Sequence, residues 1–160
     1  MSRLGAWRPA LVSGAGAITV ALAGGLLTDI GPWYYALQQP PWKPPDWAFG
    51  PIWTLIFGLA AASAALAWRA ALPAQRRGLV GLFVVNAALN IGWSALYFAL
   101  RRPDWALIEV VFLWASVAWL VWRVRALSRP ASWCLVPYLV WVSIAAALNL
   151  ETVRLNGPFA

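Results

Sequence analysis

Few side chains in this sequence can do covalent or metal chemistry. The 160 residues include no histidine, one cysteine and one methionine, but thirteen tryptophans. No metal-ligand cluster, nucleophile–base pair or glycine-rich phosphate loop is visible. An indole offers a broad stacking surface and a single N–H donor. Trp53, Trp93, Trp114 and Trp141 lie deep within long apolar runs, and three of them fall into patterns. Asn86, Asn90 and Trp93 are spaced i, i+4, i+7, so a helix carries them on one face. Tyr138, Trp141, Ala145 and Asn149 share a second face, and Phe49, Trp53 and Phe57 a third. Amides inside an apolar helix must turn inward to find partners. Two readings follow: the amides bond helices together, or they and the indoles line a cavity. Such a cavity suits a flat, aromatic, mostly apolar ligand with a polar rim.

A second concentration of rings lies at 33–53, WYYALQQPPWKPPDWAFGPIW. Prolines at 40, 41, 44 and 45 have fixed φ and no amide proton, which excludes regular helix there. The segment 31–46 is therefore expected to be a stiff, irregular loop. Its load of large rings, Trp42 included, requires an apolar surface beneath it, and a lid over the cavity fits.

The elements that must position these groups are transmembrane helices. Hydrophobic residues make up 62% of the chain and charged residues 11%. Five apolar runs approach or exceed the roughly 18–20 residues that cross a bilayer core. They are about 10–28, 47–68, 79–100, 105–122 and 133–153. The breaks are expected at 69–78, 101–104 and 123–132. The expected fold is an all-α integral membrane protein, a single five-transmembrane-helix bundle. The runs are about twice too long for barrel strands. The first run is longer than a signal-peptide core, and no A-x-A site follows it, so it is expected to stay as a span. Nine tryptophans fall at span ends, where an aromatic belt at the interface accounts for them.

The formal net charge of +7 is sorted by side. Arg3, Arg8, Arg69, Arg76, Arg77, Arg123, Arg125 and Arg129 all fall at one end of such a bundle. Lys43, Arg101, Arg102 and Arg154 fall at the other, among Asp29, Asp46, Asp104 and Glu151. This asymmetry points to a bilayer with a cytoplasmic N-terminus, not to nucleic acid. Glu109 lies more than a turn inside the fourth run, which is costly unless it is paired or reached by water. Cys134 reads as an apolar filler at the start of the fifth. Ser13, Ala17, Ala21 and Gly25 form a small-residue ridge on the first run. It lets backbones approach closely, either within the chain or across a homodimer.

Three stretches carry a resemblance. They are the loop quoted above, NAALNIGWSALYFALRRPDWAL, and PYLVWVSIAAALNLETVRLN. Together they resemble the translocator protein family, also called the tryptophan-rich sensory proteins, over residues 30–156, and the chain reads as a bacterial-type member. The resemblance implies a five-helix bundle in a bacterial membrane with a pocket opening toward the first loop. It implies binding of porphyrins such as protoporphyrin IX and, in some members, of sterols and benzodiazepine-type ligands. It implies a role in tetrapyrrole and stress regulation, with porphyrin transport or light-dependent porphyrin breakdown as alternatives. By similarity, Trp53 and Trp141 match the tryptophans tied to that photochemistry. Asn90, Trp93 and Ala145 match pocket positions. No cofactor is required, and the porphyrin is the ligand. With iron ligands reduced to Cys134, Met1 and four tyrosines, a metal-free porphyrin or one held without axial ligation fits best. The sequence departs from the animal sterol motif at Leu150, which stands in place of its tyrosine. It also carries Phe57 where many members have tyrosine.

Overall fold

A computed structural model describes residues 3–159, with side chains from Trp7 onward. Six helices follow one another: α1 Arg3–Leu27, α2 Pro32–Ala36, α3 Asp46–Ala70, α4 Pro73–Ser94, α5 Pro103–Arg125 and α6 Arg129–Asn156. No strand occurs among the described residues. All except α2 are long and apolar enough to cross a membrane.

The helices begin where the sequence supplies starts. Pro32, Pro73 and Pro103 each occupy the first turn, where a missing N–H costs nothing. Ser128 caps α6 by accepting a hydrogen bond from the Ala131 N–H at 3.3 Å. Asp46 and Asp104 sit in first turns, and Arg69, Arg123, Arg125 and Arg154 in last turns, which complements the helix dipole.

Several boundaries differ from the apolar runs. The break expected at 69–78 shrinks to two residues, because α3 keeps Arg69 and α4 starts at Pro73. Gln75 helps by accepting the Leu72 N–H at 2.9 Å. Polar side chains at a helix end do not break the helix; they reach into the headgroups. α1 begins at Arg3 and α6 at Arg129, both earlier than their runs, and α6 continues to Asn156. The loop also contains α2, since Pro32 opens a turn and no proline follows until 40.

α4 leaves regular geometry at its end. Residues Ala95–Ala99 form a π-helical turn closed by the Leu100 N–H on the Ala95 carbonyl at 2.8 Å. The extra residue shifts the helical register, and Leu96, Tyr97 and Phe98 all pack into one cluster beneath Tyr34 and Trp33. Arg101, at φ 54°, then turns the chain toward α5.

The long helices form a ring in which α1 packs on α3, α3 on α6, α6 on α5, α5 on α4, and α4 back on α1. α5 and α6 are the most intimate pair, closed by Val110, Leu113, Val117, Leu120, Leu135 and Val142. α3 and α4, although consecutive, barely touch. α1 is the outermost helix, and Leu11, Val12, Ile18, Leu22 and Leu26 face outward from it.

Candidate ligand-binding site

The space left between α1, α3 and α4 is a cavity of about 630 Å³. That is within the usual range for a small-molecule pocket. Small side chains create it: Ser13, Gly16 and Ala17 on α1 face Ala60, Ala61 and Ala64 on α3. Its inner end, at the middle of the bundle, is bounded by Phe57, Asn86, Asn90 and Tyr138. Its outer end reaches Arg8, Trp68 and Leu79, at the arginine-rich end of the bundle.

Above the cavity, toward the loop, the bundle is filled with rings. Trp53 stacks on Phe57 at 5.3 Å and meets Tyr138 edge-on at 6.1 Å. Trp141 meets Phe49 edge-on at 5.5 Å. Trp93 lies against Tyr97 at 5.1 Å, and Trp33 caps Tyr97 at 6.2 Å. Hydrogen bonds tie the rings to the amides. Trp93 Nε1 donates to Asn149 Oδ1 at 3.2 Å, and Asn149 Nδ2 donates to the Pro103 carbonyl at 2.8 Å. Asn90 Nδ2 donates to the Tyr138 hydroxyl at 3.1 Å, and Asn86 Nδ2 to Ser116 Oγ at 2.8 Å.

The expected site residues therefore divide. Phe57, Asn86, Asn90 and Tyr138 line the cavity, and Trp53 is one ring away from it. Phe49, Trp93, Trp141 and Asn149 belong to the packed aromatic half and do not line it. Ala145 is half-buried on α6 and does not line it either. Trp42 is 50% exposed on the loop. The two readings of the amides meet here. All three asparagines bond helix to helix, and two of them do so at the cavity's edge. Trp114, deep in its run by sequence, is 42% exposed, and its N–H donates to Ser143 Oγ at 2.9 Å. The Trp141 N–H is buried with no partner.

The small-residue ridge faces its own chain for most of its length. Ser13 and Ala17 are cavity wall, and Ala21 is half-buried. Gly25 is exposed; its neighbour Gly24 is the buried one, 3.7 Å from Ser94 Oγ at its Cβ position. Missed at the sequence level were the wall residues of α3 and the mouth residues Arg8 and Trp68. The available signal was the run AAASAA at 60–65, too small to fill a helix interface.

The loop is tied down at two places. Asn156 clamps the Gln38 backbone: its Oδ1 accepts the Gln38 N–H at 2.7 Å, and its Nδ2 donates to the Gln38 carbonyl at 2.9 Å. Lys43 Nζ donates to Asp46 and, at 3.0 Å, to the Tyr34 hydroxyl. Burial raises the Tyr34 pKa. Burial pulls Lys43 down, but its bonds to Asp46 and Tyr34 outweigh that and leave it raised. Lys43 and Arg102 thus have carboxylate partners within the chain, and Arg101 lies 5.9 Å over Trp33. Glu109 has both carboxyl oxygens buried without a partner, facing Gly92 of α4.

A bundle of five helices long and apolar enough to cross a membrane, packed around a cavity, defines a helical integral membrane protein. Comparison with known proteins then identifies it: the TspO/MBR family model matches residues 11–155, and the chain belongs to that family. The chain is 36% identical over 152 residues to the tryptophan-rich protein TspO of Chlorobaculum tepidum, covering 87% of this chain and 96% of that one. It is 35% identical over 144 residues to protein CrtK of Rhodobacter capsulatus, covering 88% of each. It is 34% identical over 119 residues to the translocator protein of Ovis aries, covering 73% of this chain and 70% of that one. Membership supports a sensor- or receptor-type role in a lipid bilayer, with small apolar molecules as ligands.

Proposed function

We infer that the protein is a membrane-embedded sensor that binds a tetrapyrrole of the protoporphyrin IX type. The observation carrying this reading is the composition of the cavity's inner end. There the Phe57–Trp53 stack offers an aromatic surface, and Asn86, Asn90 and Tyr138 offer polar atoms to a ring's edge. Sterols and benzodiazepine-type ligands suit the same apolar walls. Homodimerisation is part of the reading, with α1 at or near the two-fold contact. The arginine-rich end is the cytoplasmic one.

A titration of protoporphyrin IX against intrinsic fluorescence, in the dark and under illumination, tests this. Wild type should quench saturably; Ala61→Phe, which puts a ring into the middle of the cavity, should not. Trp7→Phe, at an exposed surface position, should behave as wild type. Equal affinity in all three would remove the cavity from the reading. Illuminated loss of the porphyrin band that depends on Trp53 and Trp141 would favour the degrading activity instead. Appearance of porphyrin inside vesicles would favour transport.

A further inference from the structure

The cavity has a length and a wall, and at its outer end a charge, that the tetrapyrrole reading does not explain. On α1 the lining runs from Arg8 to Val20, on α3 from Phe57 to Trp68, and on α4 from Leu79 to Asn90. At about 1.5 Å per residue each stretch is roughly 16–18 Å long. That is about half of a ~30 Å hydrocarbon core, the depth of one leaflet. Between its ends the wall is almost wholly apolar, and Val80 and Val84, which line it, are also exposed to the outside. The cavity is thus a slot open toward lipid between α1 and α4.

The mouth is cationic. Arg8 lines it directly and is exposed. The Arg76 guanidinium lies 4.8 Å over the ring of Trp68, which also lines the cavity. The Arg76 Nε is buried with no hydrogen-bond partner. No carboxylate stands at this end: Asp29, Asp46, Asp104 and Glu151 are at the other, and Glu109 is within α5. An anion at the mouth would meet donors and no competing acid.

We propose that the slot holds one acyl chain of an anionic phospholipid from the leaflet at the arginine-rich end, with its headgroup held by Arg8 and Arg76. The tail lies along Ala17 and Ala61 and ends near Phe57. This does not rest on the tetrapyrrole reading. Because both ligands use the space beside Phe57, binding of one excludes the other.

Native mass spectrometry of the protein released from mixed phosphatidylglycerol and phosphatidylcholine nanodiscs tests it. Wild type should retain phosphatidylglycerol about tenfold over phosphatidylcholine. Arg8→Gln with Arg76→Gln should bring that ratio near one. Ala17→Phe should lower retention at least fivefold. A wild-type arm needs no variant: phosphatidylglycerol with a photoreactive group at mid-tail should label peptides of α1, α3 and α4 that face the slot. Four results overturn the proposal. They are equal retention of the two lipids, labelling confined to outward faces, palmitate binding with no phosphatidylglycerol retained, and crosslinks between residue 84 of two copies showing a second chain over the slot. Phosphatidylglycerol retained by protein that does not bind protoporphyrin would keep this inference and remove the other.

Discussion

The two halves of the bundle are built from the same five spans and use them in opposite ways. The loop-side half is full. Trp33, Trp93, Tyr97 and Phe98 form one block, and Phe49, Trp53 and Trp141 line another. The asparagine and tyrosine side chains there are spent on helix-to-helix bonds. The arginine-side half is hollow between α1, α3 and α4, where Ala60, Ala61, Ala64, Gly16 and Ala17 wall the cavity, and packed only along α5 and α6, by Val117, Leu120, Val124, Ala131 and Leu135. Lipid supplies no hydrophobic drive between helices, so stability must come from packing and hydrogen bonds. The aromatic half and the α5–α6 seam supply these, and the space between α1, α3 and α4 is free to bind.

The largest expected effect breaks the full half. Trp93→Ala removes a ring packed on Tyr97 and the donor to Asn149, and such truncations cost about 4 kcal/mol. Ala61→Val, in the hollow half, adds bulk to existing space and should change stability by less than about 0.5 kcal/mol. Reversible unfolding in mixed micelles measures both. Similar losses at the two positions would end the distinction between scaffold and site.

Next is ligand affinity, where the order reverses. Phe57→Ala removes an anchoring ring at the cavity's inner end, worth about 2 kcal/mol at a hot spot, or roughly 30-fold in Kd. Trp105→Ala, at a half-exposed belt position, should leave Kd within about twofold. Titration of protoporphyrin IX into each variant gives the comparison. A Trp105 effect as large as that of Phe57 would place the ligand outside the cavity.

Much of the scaffold was legible in the sequence, because hydropathy and proline placement are local signals. The faces of Asn86, Asn90 and Trp93, and of Tyr138, Trp141 and Asn149, do point inward. What periodicity cannot say is whether an inward group meets another helix or a void. Trp93 and Asn149 find each other across 56 residues of chain, and that pairing depends on the ring order of helices. The cavity was harder to read. Small residues signal either close approach or empty space, and α1 shows both: Gly24 packs near Ser94, while Ala17 borders the cavity. The helix ends at Arg69 and Pro73 lie beyond the apolar runs because charged side chains at a helix end do not break the helix.

A smaller effect concerns the loop. Asn156→Ala deletes both bonds to the Gln38 backbone, each worth about 1 kcal/mol net. The loop should loosen while the bundle below keeps its stability. Hydrogen exchange should then rise at residues 33–39 and stay unchanged in α5. Faster exchange throughout would mean that the loop and the full half unfold as one unit.

The smallest effect separates the halves by pH. Lys43 and Tyr34 both have raised pKa values, so the folded loop holds their protons more tightly than the unfolded chain does. Where the native state binds more protons, stability falls as pH rises. The contribution is whole below the ordinary values of 10.0 for tyrosine and 10.5 for lysine. It is lost as pH climbs through the raised ones. Both groups act in the same direction, because a tyrosinate at Tyr34 is buried and loses its bond to Asp46, and a neutral lysine loses its ion pair with Asp46. The cavity mouth is lined by Arg8, Trp68 and Leu79 and has no part in that cluster. Alkaline titration should therefore loosen the loop and leave the mouth unchanged. Environment-sensitive labels on Cys-substituted Gln39 and Val80, in a Cys134→Ser background, would report each half separately. The Gln39 signal should move above about pH 10 and the Val80 signal should not. Repeating the scan with Lys43→Met should abolish most of the Gln39 transition. If the transition persists unchanged in that variant, the lysine cluster is not what holds the loop.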